Sequence, residues 1–182
     1  MSDRTPGIQP HQSIWRRIDI AARHAFPTAS SLALMLVATA PFGLPDQAVL
    51  LPAIALACVY FWTLFRPLAM RPWSVFLIGL LLDLLGYLPL GVGPLSLLVA
   101  HGITMQLRRF LVRQGFLLIW LVQAGLAALV AVLVWGLSAA LSFRLLPFGP
   151  ALFQCVLSVA VYPLLKVIFL RAHHSIADPE QA

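Results

Sequence analysis

Hydrophobic positions along this chain fall in long unbroken runs, not in the apolar–polar alternation of a half-buried strand. The runs cover residues 25–42, 48–65, 73–88, 92–107, 116–141 and 150–170, and Pro, Gly and Arg punctuate them. A helix needs about 20 residues to cross a hydrocarbon core of ~30 Å, and most of the runs approach that length. The third and fourth are shorter, since 16 residues at 1.5 Å each reach only about 24 Å. Pro89-Leu90-Gly91 separates those two and reads as a tight turn, which predicts a helical hairpin ending below the membrane surface. A single re-entrant element is the alternative. The pattern as a whole predicts an all-α integral membrane protein, with six transmembrane helices in one bundle over 25–171.

Composition narrows the class. Of 182 residues, 61% are hydrophobic and 10% carry charge. Ordinary soluble domains carry roughly 25%, so too few polar residues are present to cover a water-facing surface. Intrinsic disorder needs the opposite balance and is excluded. The net charge of +6 and isoelectric point near 10.4 would point to nucleic acid in a soluble chain. Here no basic run is interleaved with exposed aromatics, so the charge reads as a device for membrane orientation and not for nucleic-acid binding.

The placement of that charge predicts the topology. Arg4, Arg16, Arg17 and Arg23 precede the first run. Arg66 and Arg71 follow the second, Arg108, Arg109 and Arg113 the fourth, and Lys166 and Arg171 close the sixth. With six spans, every basic residue except Arg144 falls on one side, which the positive-inside rule assigns to the cytoplasm. Both termini are then expected on the cytoplasmic side. Residues 12–24 read either as a short interfacial helix, with Ile14, Ile18 and Ala22 on one face and arginines available to anionic lipid, or as a frayed basic tail. Segment 1–24 is therefore expected to be a cytoplasmic basic region, and 172–182 a cytoplasmic polar tail. Ala38-Thr39-Ala40 resembles a signal-peptide cleavage site, but Pro41 follows at once and cleavage would break the charge alternation, so an uncleaved first helix is favoured.

Few residues offer chemistry. Asp83 is the one acid inside an apolar run, and ten residues past Trp73 it should lie about 15 Å along the helix, near the membrane middle. An intramembrane acid faces the bundle interior, water or a partner. It reads either as a proton, ion or substrate site or as a buried hydrogen bond joining two helices, and the second is favoured because no other acid accompanies it. His101 is its expected companion, since the hairpin brings the two to depths differing by about 4–5 Å. A lone His bonded to a backbone carbonyl is the plainer alternative. Gln123 sits among Ala124, Gly125, Ala127, Ala128 and Ala131, where small residues permit close helix approach and an amide can bond across the contact. Cys58 and Cys155 lie in apolar runs and read as core residues. No metal-ligand spacing, phosphate loop or nucleophile–base pair is present, so neither enzymatic activity nor a cofactor is expected.

One stretch, Pro52 to Leu98, carries a recognisable order of features. Pro52 lies early in the second run, Tyr60-Phe61-Trp62 follow, and Arg66-Pro67 leave the membrane. A Gly–aliphatic–Asp run comes next (Gly79, Asp83, Gly86), in which Gly79 and Gly86 remove side chains on opposite flanks of Asp83 and are expected to allow close helix contact, then Pro89, Leu90 and Gly91. Near the end, Tyr162-Pro163 precede Lys166. In order and spacing this resembles the rod-shape-determining MreD family of bacterial cell elongation. The basic N-terminal extension and His173-His174 depart from that pattern.

The resemblance implies a fold like the substrate-binding subunits of energy-coupling-factor transporters, and a scaffold that performs no bond chemistry. It implies binding to an MreC-like single-span protein. The RodA glycosyltransferase and a class B penicillin-binding transpeptidase are further implied partners, with MreB acting indirectly. Asp83 and its hairpin would serve fold integrity or a partner groove. A substrate-capture subunit of a membrane transporter is the alternative function.

Overall fold

In a computed structural model, the structure describes residues 14–40, 50–143 and 147–177, with side chains described from 25 to 167. Six α-helices occupy these residues: α1 (Ile14–Ala38), α2 (Leu50–Phe65), α3 (Pro72–Gly86), α4 (Val92–Leu111), α5 (Phe116–Ser142) and α6 (Gly149–Ala177). No strand occurs among the described residues.

Breakers set most of the boundaries. Pro72 opens α3 at its first position, where a missing N–H costs nothing. Tyr87, in a left-handed conformation (φ 54°), ends it. Gly91 (φ 101°) precedes α4, and Phe143 (φ 50°) ends α5.

Three helices run past their apolar runs. The fourth run extends as helix to Leu111, through Arg108 and Arg109, because unbranched side chains favour helix and cations suit a helix C-terminus. Backbone over 14–24 belongs to one continuous α1 rather than to a separate short helix, and Pro27 removes one N–H donor without ending it. Likewise α6 continues through 172–177, where the sequence pattern predicts an unpatterned tail. Helicity outlasts apolarity in all three, since the backbone ladder needs no apolar side chains. The expectations for 1–13, 41–49 and 178–182, and for Arg144, fall outside the described residues.

Contacts across helices give an up-and-down arrangement. Phe26 meets Trp62 edge-on at 5.8 Å and a hydrogen bond joins Ser31 to Cys58, so α1 and α2 are antiparallel. Trp120 and Gln123 of α5 bond the carbonyls of Val159 and Ser158 on α6, again antiparallel. α3 and α4 form the expected hairpin. At the core, α2 touches every other helix, and 13 of its 16 residues are buried. That central place explains why it is apolar all round.

α5 differs. It too is apolar throughout, yet only the stripe Ile119, Gln123, Leu126, Ala127, Val130, Ala131 and Ser138 is buried. Leu117, Leu121, Val132 and Leu141 are exposed on it, as are Leu152, Phe153, Val156 and Leu164 on α6. Two helices, Phe116–Ser142 and Gly149–Val167, are long and apolar enough to cross a membrane. α2 and α3, at 16 and 15 residues, are shorter apolar helices.

Candidate functional site

The turn between α3 and α4 is organised by one residue. Asp83 lies on the last turn of α3, and its backbone carbonyl accepts from Tyr87 N–H and from Leu88 N–H at 3.2 Å. This closure characterises a helix ended by a left-handed residue. The same residue's carboxylate then reaches across the turn. Oδ2 accepts from Gly91 N–H and Oδ1 from Gly93 N–H, each at 2.7 Å.

Those amides belong to the start of α4, whose own N-cap position, Gly91, has no side chain to cap it. Asp83 supplies from the neighbouring helix what an N-cap Asp would supply locally. A negative charge at a helix N-terminus also meets the positive end of the macrodipole. Charge-assisted bonds of this length are among the stronger ones in proteins. The residue is only 2% exposed. Both of its oxygens are engaged, so as built it is a structural clasp.

Two glycines let the helices come this close. A Cβ added at Gly79 would collide with the backbone of Pro94 and Gly93, and one at Gly93 would strike the Asp83 carboxylate and the Gly79 carbonyl. Gly91 holds a φ that L side chains rarely adopt. Gly86 is different. A Cβ there meets only Leu88 and Leu82 side chains at 3.8–3.9 Å, ordinary contact. The close approach expected around Gly86 thus belongs to Gly93, which the sequence reading passed over. The Gly91-Val92-Gly93-Pro94 order, small residues opening a helix beside a proline, was the available signal. Pro89 contributes its carbonyl, which accepts from Val92 N–H at 3.2 Å.

His101 does not meet Asp83. Its Nδ1 pairs with Thr63 Oγ1 of α2 at 2.8 Å, and the ring is buried. Asp83 lies three residues from the end of α3, while His101 is ten residues beyond Gly91, about 15 Å along α4. The two residues sit on one hairpin but at different levels, and each has its own partner.

The remaining candidates are elsewhere. Gln123 Nε2 donates to the Ser158 carbonyl at 3.3 Å, joining α5 to α6, while its Oε1 is buried without a hydrogen-bond partner among the described residues. Nearby, Tyr60 donates to the Ile119 carbonyl at 2.8 Å and packs edge-on against Tyr162 at 5.4 Å. Arg66 and Pro67 lie at the opposite end of the molecule from the Asp83 clasp. There the Arg66 carbonyl accepts from Ala69 and Met70 N–H, both at 3.1 Å, closing the α2–α3 turn.

These positions form three helix-joining contacts and one turn. They do not converge on a common cavity lined by reactive groups. The chain matches no protein-family model, no curated protein and no solved structure.

Proposed function

We propose that this protein is a multi-pass inner-membrane scaffold of the bacterial cell-elongation machinery. Six helices cross the bilayer and both termini lie in the cytoplasm. It binds an MreC-like single-span protein and helps position or regulate the RodA glycosyltransferase and its class B transpeptidase. MreB is engaged indirectly, and no bond chemistry occurs in the protein itself.

The observation that carries this reading is the state of Asp83. The only acid in an apolar run is spent, through both carboxylate oxygens, on fixing a helical hairpin. An intramembrane acid committed to architecture fits a docking protein better than a proton- or substrate-handling one. The exposed apolar flanks of α5 and α6 supply surfaces for lipid and for partner helices, which associate in a bilayer by close packing. The resemblance of the Pro52–Leu98 stretch to the MreD family supplies the particular partners.

Purification of the tagged full chain in a mild detergent, with mass spectrometry of retained proteins, tests the proposal. Recovery of a single-span coiled-coil protein together with wall synthases is the expected result. Recovery of ATPase subunits and a small molecule, without those proteins, would replace it with a substrate-capture subunit of a transporter.

A further inference from the structure

Three elements carrying cations meet at the Arg66 end of the bundle. Arg108, near the end of α4, donates from Nε to the Leu64 carbonyl at 2.8 Å. That carbonyl is one of the last on α2, two residues before Arg66. The turn closed on the Arg66 carbonyl leads directly to Arg71, which sits at the N-cap of α3. Arg109 and Arg113 are exposed on the same end. Lys166 of α6 lies 4.1 Å over the Phe116 ring at the start of α5, paired with a π face rather than a carboxylate.

Nothing among the described side chains neutralises this group. Asp83, the one acid among them, is twelve residues along α3 from Arg71, about 18 Å away, with both oxygens engaged. Helix dipoles do not supply the missing charge. α2 and α4 end here with roughly half a negative charge each, and α3 and α5 begin here with roughly half a positive charge each, so the contributions cancel. Arg108 is also pre-oriented. It is half-buried, its Nε is held by a backbone carbonyl, and its two Nη groups have no hydrogen-bond partner among the described residues. A fixed guanidinium with free Nη groups suits bidentate recognition of a phosphate.

We infer that Arg108, with Arg66 and Arg71 at the same end of the bundle, forms a binding site for an anionic phosphate group. On the membrane reading above, on which this inference rests, the site lies at the level of the cytoplasmic headgroups. Anionic phospholipid is then its natural source, and free phosphate is the other.

The test uses the full-length protein in nonionic detergent, with native mass spectrometry of lipid adducts. Phosphatidylglycerol or cardiolipin is added in one arm, phosphatidylcholine in a second, and inorganic phosphate as competitor in a third. Retention of anionic lipid at least tenfold above phosphatidylcholine is expected. Arg108→Gln should reduce it tenfold or more, Arg108→Lys less, and Arg113→Gln under twofold. Arg66→Gln and Arg71→Gln, which leave the Leu64 contact intact, should each reduce it severalfold, so the site remains testable if Arg108→Gln misfolds. Displacement by millimolar inorganic phosphate would keep the site and assign free phosphate as its source. Equal small losses at every arginine, or no preference for anionic lipid, would overturn the site. Resistance of the same chain to carbonate extraction from membranes, measured in parallel, shows whether such a failure belongs to the site or to the membrane reading.

Discussion

Asp83 accepts from one part-buried backbone N–H (Gly91) and one buried one (Gly93), and its replacement should be felt accordingly. Leaving a buried donor unsatisfied costs about 1–3 kcal/mol. Asp83→Ala should therefore lower stability by about 1–4 kcal/mol, most of it at Gly93, read from unfolding in mixed detergent micelles. Asp83→Asn keeps one acceptor and should lose about half as much. Equal stability of all three proteins would mean that the clasp is idle. The glycines sharpen the same point. Gly79→Ala and Gly91→Ala should destabilise, the first through a backbone collision and the second through φ. Gly86→Ala should be neutral or stabilising by up to about 1 kcal/mol, because the helix gains from a methyl that meets open contact. Tyr87 has the reverse character. A bulky residue at φ 54° pays about 1–2 kcal/mol for its left-handed backbone, so Tyr87→Gly should raise the unfolding midpoint.

Between helices, the pairs differ from those that proximity along the hairpin predicts. Thr63–His101 ties α2 to α4, and Asp83 ties α3 to the start of α4. A double-mutant cycle between Thr63→Val and His101→Phe should show coupling of about 0.6–1.7 kcal/mol, the range of polar contacts between membrane helices. The Asp83/His101 cycle should be additive within about 0.5 kcal/mol, since the residues share no partner. Strong Asp83–His101 coupling would mean that the hairpin is arranged differently. Other pairings of this kind escape sequence reading for a definite reason. Each residue advances a side chain 100° around its helix, so rotating one helix by a single position redirects every polar group on it. Gln123 could be read as an interhelical amide from its small neighbours, but not that its acceptor would be the Ser158 carbonyl. Arg108 read as a loop cation, whereas it reaches back to a carbonyl of α2.

For the molecule as a whole, the two ends are chemically distinct. The end with Arg66, Arg71, Arg108, Arg109 and Arg113 is strongly basic, and the Asp83 end exposes Tyr87 and Leu90. The proposed topology places these ends on opposite sides of the membrane. Single cysteines at Leu68 and Leu90, both well exposed, report on it directly. In intact cells stripped of their outer membrane, a membrane-impermeant maleimide should label Leu90→Cys and spare Leu68→Cys until the cells are lysed, with both native cysteines replaced by Ala. Labelling of both before lysis would rule out a six-span protein with its termini inside. α2 and α3 are the short helices of the structure: α3 rises only about 22 Å over 15 residues, against about 40 Å for α5.

The sequence by itself determined the helices, their number among the described residues and most of their ends. It also determined the α3–α4 reversal and the segregation of charge. All of these follow from properties local to the chain: apolar runs, the missing N–H of proline, the φ freedom of glycine and the position of arginines relative to the runs. Only the tertiary structure decided that α2 is the centre and that Gly79 and Gly93, not Gly86, form the close crossing. It also decided that Asp83 caps a neighbouring helix, and that Arg108 reaches the Leu64 carbonyl at the end of α2. Each of these depends on the rotation and register of one helix against another. Those are set by the summed fit of many side chains across an interface, and no single stretch of sequence contains that sum.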